Sequence, residues 1–288
     1  MAQRNNLERA LGANPVNPDQ GSPAVATGGT SGDLFSFVTP TTFVDLPSKG
    51  RFYGEEHPLH QSDTVEIRHM TAKEEDILTS EALLKKGIAV DRMLQSVVVD
   101  KRIKVRDLLV GDKNAMIIAS RITGFGPQYD THIGCPACGE TVENSFNLEE
   151  LDLADKTEIP ENVKLLENGN FEIHLKAIDF VIELRLLTGV DETKFAAGRE
   201  KRKKLKLPDA HITDQLKLII SAVNGITDPS LIKQFIEAVP TIASREIRNT
   251  YEAVMPNVDL NQEFTCPECD HEGRIAVPLT VDFFWPDE

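Results

Sequence analysis

The sequence predicts an α+β fold: a strand–helix region, then a zinc-ribbon-like β-domain that a helical block interrupts. Three observations predict it. Two Cys-Pro-x-Cys turns, "CPAC" at Cys135–Cys138 and "CPEC" at Cys266–Cys269, each sit between alternating apolar and polar residues, the pattern of strands. The stretch between them changes from a period of two to the 3.6-residue period of helices near residue 190. Ahead of the first turn, strand-like and helix-like segments follow one another with good helix-start signals.

Residues 1–38 predict a flexible, low-complexity arm. "GANPVNPDQGSPAVATGGTSGD" is rich in Gly, Pro, Ser, Thr and Asn and offers little to bury. "NNLERAL" allows one short helix there, and its glycines lack the Lys-Ser/Thr ending of a phosphate loop. Ordered structure is expected from about Phe43. The region 39–126 opens with "TTFVD" as a strand, Pro47–Gly50 as a turn and an aromatic return at Phe52 and Tyr53. "TVEIRHM" alternates as a second strand. Thr71 and Glu74 have capping-box spacing at the head of a helix. "AVDRMLQSVV" places Val90, Met93, Leu94, Val97 and Val98 on one helical face. "DKNAMIIASRI" reads as a further helix, capped by Asp112 and ended by Gly124 and Gly126.

The β-domain is expected from residues 127–188 and 257–288. Within it, Asn168-Gly169 between alternating apolar residues predicts a hairpin. The inserted block, 189–256, reads as helices throughout, "TDQLKLIISAVNGI" included. Its expected caps are Asp191, Thr213, Asp228 and Ser244, with Gly225, Pro240 and Pro256 at helix ends.

Aligned on their cysteines, the two turns carry apolar residues at equivalent places. These are Ile133 and Phe264 before them, and Phe146 with Val277 and Leu148 with Leu279 after them. Two equivalent turns supply four thiolates, Cys135, Cys138, Cys266 and Cys269, at the corners of a tetrahedron, the ligand set of a closed structural Zn²⁺ site. A redox role is disfavoured, because redox Cys-x-x-Cys motifs open helices. Two separate disulfides are disfavoured by the absence of a secretory leader, which predicts an intracellular chain. A catalytic zinc needs an open coordination position and a nearby base. His271 and Glu272 stand close in sequence, but four cysteines already fill the shell, so His271 reads as a solvated hairpin residue.

The formal net charge is −15, which disfavours nucleic acid as a partner over the whole surface. No apolar run approaches the ~20 residues of a membrane span. His57 and His60, with Glu55 or Glu56, form a weak metal candidate better read as a polar turn. Arg199–Lys206 holds six basic residues in eight positions. It reads as a solvated helix end, with docking to an acidic protein surface as the sharper alternative. Phe283, Phe284 and Trp285 are read evenly as core closure or as an exposed anchor for a partner. Neither a nucleophile elbow, an HExxH motif nor a dinucleotide fingerprint is present.

The blocks "VDLPSKGRFY", "TAKEEDILTS", "LLKKGIAVDRML", "DLLVGDKNAMIIASRITGFG" and "CPEC…VPLTVDFFWP" resemble the baseplate hub and hub-assembly proteins of T-even-type contractile-tailed bacteriophages, cyanophage relatives included. The resemblance runs from about Phe43 to the C-terminus. It implies a non-enzymatic structural or assembly role in the virion tail baseplate, built in the host cytoplasm, with other phage tail proteins as partners. Zinc-like knuckles vary in that family, so the metal expectation rests on this chain's own four cysteines. Two alternatives stand beside it. One is a zinc-ribbon nucleic-acid-binding module using Arg199–Lys206, and the other a zinc-dependent hydrolase using His271 or Glu272.

Overall fold

The structure is a computed structural model that describes residues 39–154, 159–208, 210–279 and 281–284. The arm expected at 1–38, its short helix and Trp285 lie outside the described residues.

β1 (Thr41–Asp45) and β2 (Thr64–Arg68) pair antiparallel, with Val44 opposite Val65 and both buried. Residues between them do not form a return strand. Pro47–Gly50 turns as expected, with Lys49 and Gly50 at positive φ, and the backbone of Leu59, Gln61 and Ser62 presses against Gly50, where a Cβ has no room. Tyr53 is instead a buried turn residue whose hydroxyl reaches the interior.

α1 (Ala72–Thr79) begins with the expected Thr71/Glu74 capping box, and α2 (Glu81–Lys85) follows. Glu74 also takes both guanidinium nitrogens of Arg68 and the hydroxyl of Ser96, tying β2, α1 and α3 (Ala89–Val97) together. α3 turns Met93, Leu94 and Val97 fully into the core, as its apolar spacing requires.

α4 (Val110–Phe125) buries Ala115, Met116 and Ile118. Its cap is Leu109, and Asp112 lies inside its first turn. The Asp112 carboxylate accepts from the Ser48 N–H (2.9 Å), the Ser48 hydroxyl (2.6 Å) and the Tyr53 hydroxyl (2.7 Å). A fully buried acceptor satisfied by the β1–β2 connection replaces the local cap, because burial makes an unpaired carboxylate far costlier than an uncapped helix end. Gly126, at φ 83°, ends α4 as expected, while Gly124 lies within the helix against Met70.

β3 (Gln128–Gly134) and β4 (Thr141–Asn147) form the hairpin carrying the first cysteine pair. β5 (Leu153–Ala154) pairs later with β10 (Asn257–Val258). β6 (Val163–Leu165), β7 (Phe171–Leu175) and β8 (Phe180–Leu184) form the expected meander, with Asn168-Gly169 in the first turn and Gly169 at φ 80°.

α5 (Gly189–Lys204) starts with a second capping box. Thr188 is the cap, and Asp191 is its third-residue partner rather than the cap itself. α6 (His211–Ile219) stops early. Ile220–Val223, expected as helix, is β9, which pairs antiparallel with β8 and completes a four-stranded sheet in the order β6-β7-β8-β9. A short apolar run rich in β-branched residues carries either period, and the open edge of β8 decides. Thr213 lies inside α6, whose cap is Ala210. α7 (Pro229–Ala238) is capped by Asp228 through the N–H groups of Ser230 and Leu231. α8 (Thr241–Val254) starts after Pro240, leaving Ser244 inside it, and Pro256 follows its end. β11 (Asn261–Thr265) and β12 (Glu272–Ala276) carry the second cysteine pair, and a 3₁₀ turn (Val281–Phe284) follows.

Candidate metal centre

Each cysteine pair caps a two-stranded antiparallel hairpin, and the two turns have the same backbone. The N–H of Cys135 donates to the Glu140 carbonyl at 2.8 Å, and that of Cys266 to the His271 carbonyl at 2.9 Å. The N–H of Gly139 returns to the Cys135 carbonyl, and that of Asp270 to the Cys266 carbonyl. The residue after each second cysteine is left-handed, Gly139 at φ 78° and Asp270 at φ 53°. Glycine and Asp are residues that tolerate this region. In both turns the first cysteine is buried and the second exposed.

The turns face each other across 128 sequence positions. Cys135 Sγ lies 3.8 Å from Cys269 Sγ, and Cys138 Sγ lies 3.9 Å from Cys266 Sγ. All four sulfurs fall within 4.8 Å of one another. A disulfide needs about 2.05 Å, so these are separate thiols. Sulfurs at ~2.3 Å from one tetrahedral ion would stand about 3.8 Å apart, which matches the Cys135–Cys269 and Cys138–Cys266 pairs. Among the described residues this is the one group of three or more His, Cys, Asp or Glu side chains placed to hold a metal ion.

The sulfurs interact electrostatically. N–H groups of Cys138 and Ala137 aimed at the Cys135 sulfur lower its pKa to about 6. Cys269 receives the His271 N–H, but local desolvation and the three neighbouring sulfurs outweigh it and push the thiol up to about 12. Four thiols this close cannot all ionise without a cation between them.

The hairpins are braced from behind. Of the apolar positions that coincide in sequence, Ile133, Phe264, Phe146, Val277 and Leu148 are buried, whereas Leu279 is half-buried and packs against the core. Gln262 crosses between the hairpins, its carbonyl accepting from the Asn147 N–H while its amide donates to the Asn147 carbonyl. Phe283 packs edge-on against Tyr129 at 4.9 Å, and Phe283 and Phe284 are each 1% exposed, so both belong to the core.

Sequence reasoning missed Arg121. Fully buried at the end of α4, it donates to the carbonyls of Phe283 (2.9 Å), Gly126 (2.8 Å) and Gln128 (3.0 Å). It thereby binds α4 to the entry of the first hairpin and to the segment after the second. Lys113 was missed as well. It sits between Asp91 on α3 (2.6 Å) and Glu192 on α5 (2.8 Å). For Arg121 the available signal was a cation within the largely apolar run "AMIIASRITGF"; Lys113, between Asp112 and Asn114, carries no such signal.

The other candidates are not brought together into sites. His57 stacks on Tyr53 with ring centroids 4.3 Å apart and accepts from the Leu59 N–H, while His60 bonds the Tyr53 carbonyl. These histidines shape a turn, and Glu55 and Glu56 form no metal-competent group with them. Glu272 opens β12, paired to Thr265, and His271 precedes it; neither belongs to the sulfur quartet. Arg199–Lys206 forms the exposed end of α5 and the turn after it.

The chain is an α+β protein whose two cysteine hairpins bring four thiols together in a group that could hold a metal ion. Residues 39–285 match the family model described as T4 bacteriophage base plate protein, and the chain belongs to that family. No curated protein and no solved structure matches it. No helix among the described residues is long and apolar enough to cross a membrane.

Proposed function

We propose that the chain acts in the hub of a contractile-tail baseplate, as a structural component or as a factor that assembles the hub. The match of residues 39–285 to the base plate family carries this reading. The role is non-enzymatic: the protein holds other tail proteins and turns nothing over. It is made in the host cytoplasm and acts at the virion tail.

The four cysteines Cys135, Cys138, Cys266 and Cys269 hold one structural zinc ion in this reading. The near-tetrahedral sulfur spacing and an all-sulfur donor set support zinc over harder cations. Such an ion supplies cross-linking and charge neutralisation. The chain's part is to pre-form the two turns through the paired N–H bonds and to fix the hairpins on a shared apolar base. A staple joining residues this distant restricts the unfolded chain while adding little to the native state except the metal bonds.

The localisation is tested by quantitative mass spectrometry of purified particles and of infected-cell lysate. Stoichiometric presence in particles identifies a hub component, and presence in lysate alone identifies an assembly factor. Absence of this chain from every complex with tail proteins would contradict both.

A further inference from the structure

We propose that α5 and the turn after it form a docking groove for an acidic protein segment bearing large apolar side chains. The groove, about 420 Å³, runs along one helical stripe, Lys194, Gly198, Lys201 and Leu205, at i, i+4, i+7 and i+11 spacing. Its floor is apolar. Phe195 and Leu207 contribute to it, and Leu205 and Leu207 remain 60% and 50% exposed. Its rim is cationic, from Lys201 and from Lys194, which stands only loosely paired, 3.9 Å from Asp191. Asp214 is the one acid among the described lining residues, and Arg202 and Lys217 both engage it at 3.1 Å, so little negative charge faces outward.

Two features argue for an acidic apolar occupant. First, charge is segregated: a chain of net charge −15 concentrates cations around this groove, while leucines lie exposed between them. A solvated helix end needs the cations but not the leucines. A nucleic-acid surface would favour aromatic platforms over aliphatic ones. Second, Gly198 stands in the middle of α5, and a Cβ there would meet nothing within 4 Å. Glycine weakens a helix interior, and no neighbour among the described residues requires it. What its missing side chain provides is depth in the groove. An occupant with carboxylates spaced to the lysines and an apolar residue over Gly198 satisfies both features.

The test is fluorescence anisotropy on the full chain, with a labelled peptide of Glu, Leu and Ala as probe. Controls are the same peptide with Ser for Leu and a labelled single-stranded DNA. The Glu/Leu peptide should bind, and the Ser peptide should bind at least about tenfold more weakly, the effect of losing one buried leucine. Lys194→Glu with Lys201→Glu should weaken binding about tenfold or more. Gly198→Gln, which fills the groove, should abolish binding while leaving the melting temperature unchanged or raised. Equal binding of the Ser peptide, tighter binding of DNA, or retained binding by Gly198→Gln would each overturn the proposal.

Discussion

Replacing Arg121 by Met removes the guanidinium that joins α4, the first hairpin and the closing segment, while keeping most of the volume. Three hydrogen bonds from a charged donor are lost, at 2.8–3.0 Å. Each is worth about 1.5–3 kcal/mol when its acceptor stays buried. The Gly126 and Gln128 carbonyls lie partly within reach of water, which recovers part of that sum, whereas the Phe283 carbonyl is buried. The guanidinium also lies over the Phe125 ring at 5.2 Å and the Tyr129 ring at 5.9 Å, contacts worth about 0.5–1 kcal/mol each. Removing Arg121 also abolishes the desolvation cost of its own charge, so the net loss is about 3–5 kcal/mol. For a chain of this size that lowers the melting temperature by roughly 10 °C. Arg121→Lys should recover about a third, since an ammonium cannot reach three diverging carbonyls. The assay is thermal denaturation followed by far-ultraviolet circular dichroism, with all variants purified under the same metal conditions. A Met variant within about 1 kcal/mol of the parent, or a Lys variant equal to it, would refute the role given to Arg121.

Three further outcomes follow from the same geometry. Asp112→Ala strands the Ser48 N–H and two hydroxyls and should cost about 3–4 kcal/mol in urea denaturation, with Asp112→Asn nearer 1–2 kcal/mol; equal costs would show that the carboxylate charge is irrelevant. Burial pushes Glu74 up, but hydrogen bonds from Arg68, Ser96 and Thr71 outweigh it and hold the carboxyl at about 2, below the ordinary 4.5. Its stabilisation is therefore complete above about pH 4.5 and lost as pH falls towards about 2, so Glu74→Gln should flatten the acid limb of a stability–pH profile, and an unchanged limb would contradict the assignment. Gly139→Val forces a β-branched residue into the left-handed region and should cost about 2 kcal/mol, whereas Gly139→Asp, the residue type already at the equivalent position 270, should cost under half as much; the melting temperatures of the two variants check the ranking.

What could be read from sequence was what neighbouring residues decide. Thr71 with Glu74, Asp228 before Pro229, Asn168-Gly169 and the coincident apolar positions around the cysteines are all local signals, and each appears in the fold. Placing four cysteines together needed only the recognition that the two turns are equivalent. What remained hidden depends on distant partners. Asp112 reads as a cap until Ser48 and Tyr53, about sixty positions earlier, arrive to occupy it. Ile220–Val223 reads as the end of a helix until β8 offers an edge. Phe283 and Phe284 read equally as core or anchor because their partners, Tyr129 and Arg121 for Phe283 and Phe125 for Phe284, lie far back in the chain. The groove on α5 was visible only as a basic run, because its depth depends on where Leu207 and Leu218 fold back.

The most direct test of the proposed zinc staple is elemental analysis of the purified chain with X-ray absorption at the zinc edge. The expected result is one zinc per chain with four sulfur neighbours at ~2.3 Å, and loss of both metal and thermal stability in Cys135→Ser or Cys266→Ser. No bound metal with four titratable thiols, a shell containing nitrogen or oxygen in place of sulfur, or a cysteine variant of full stability would contradict it.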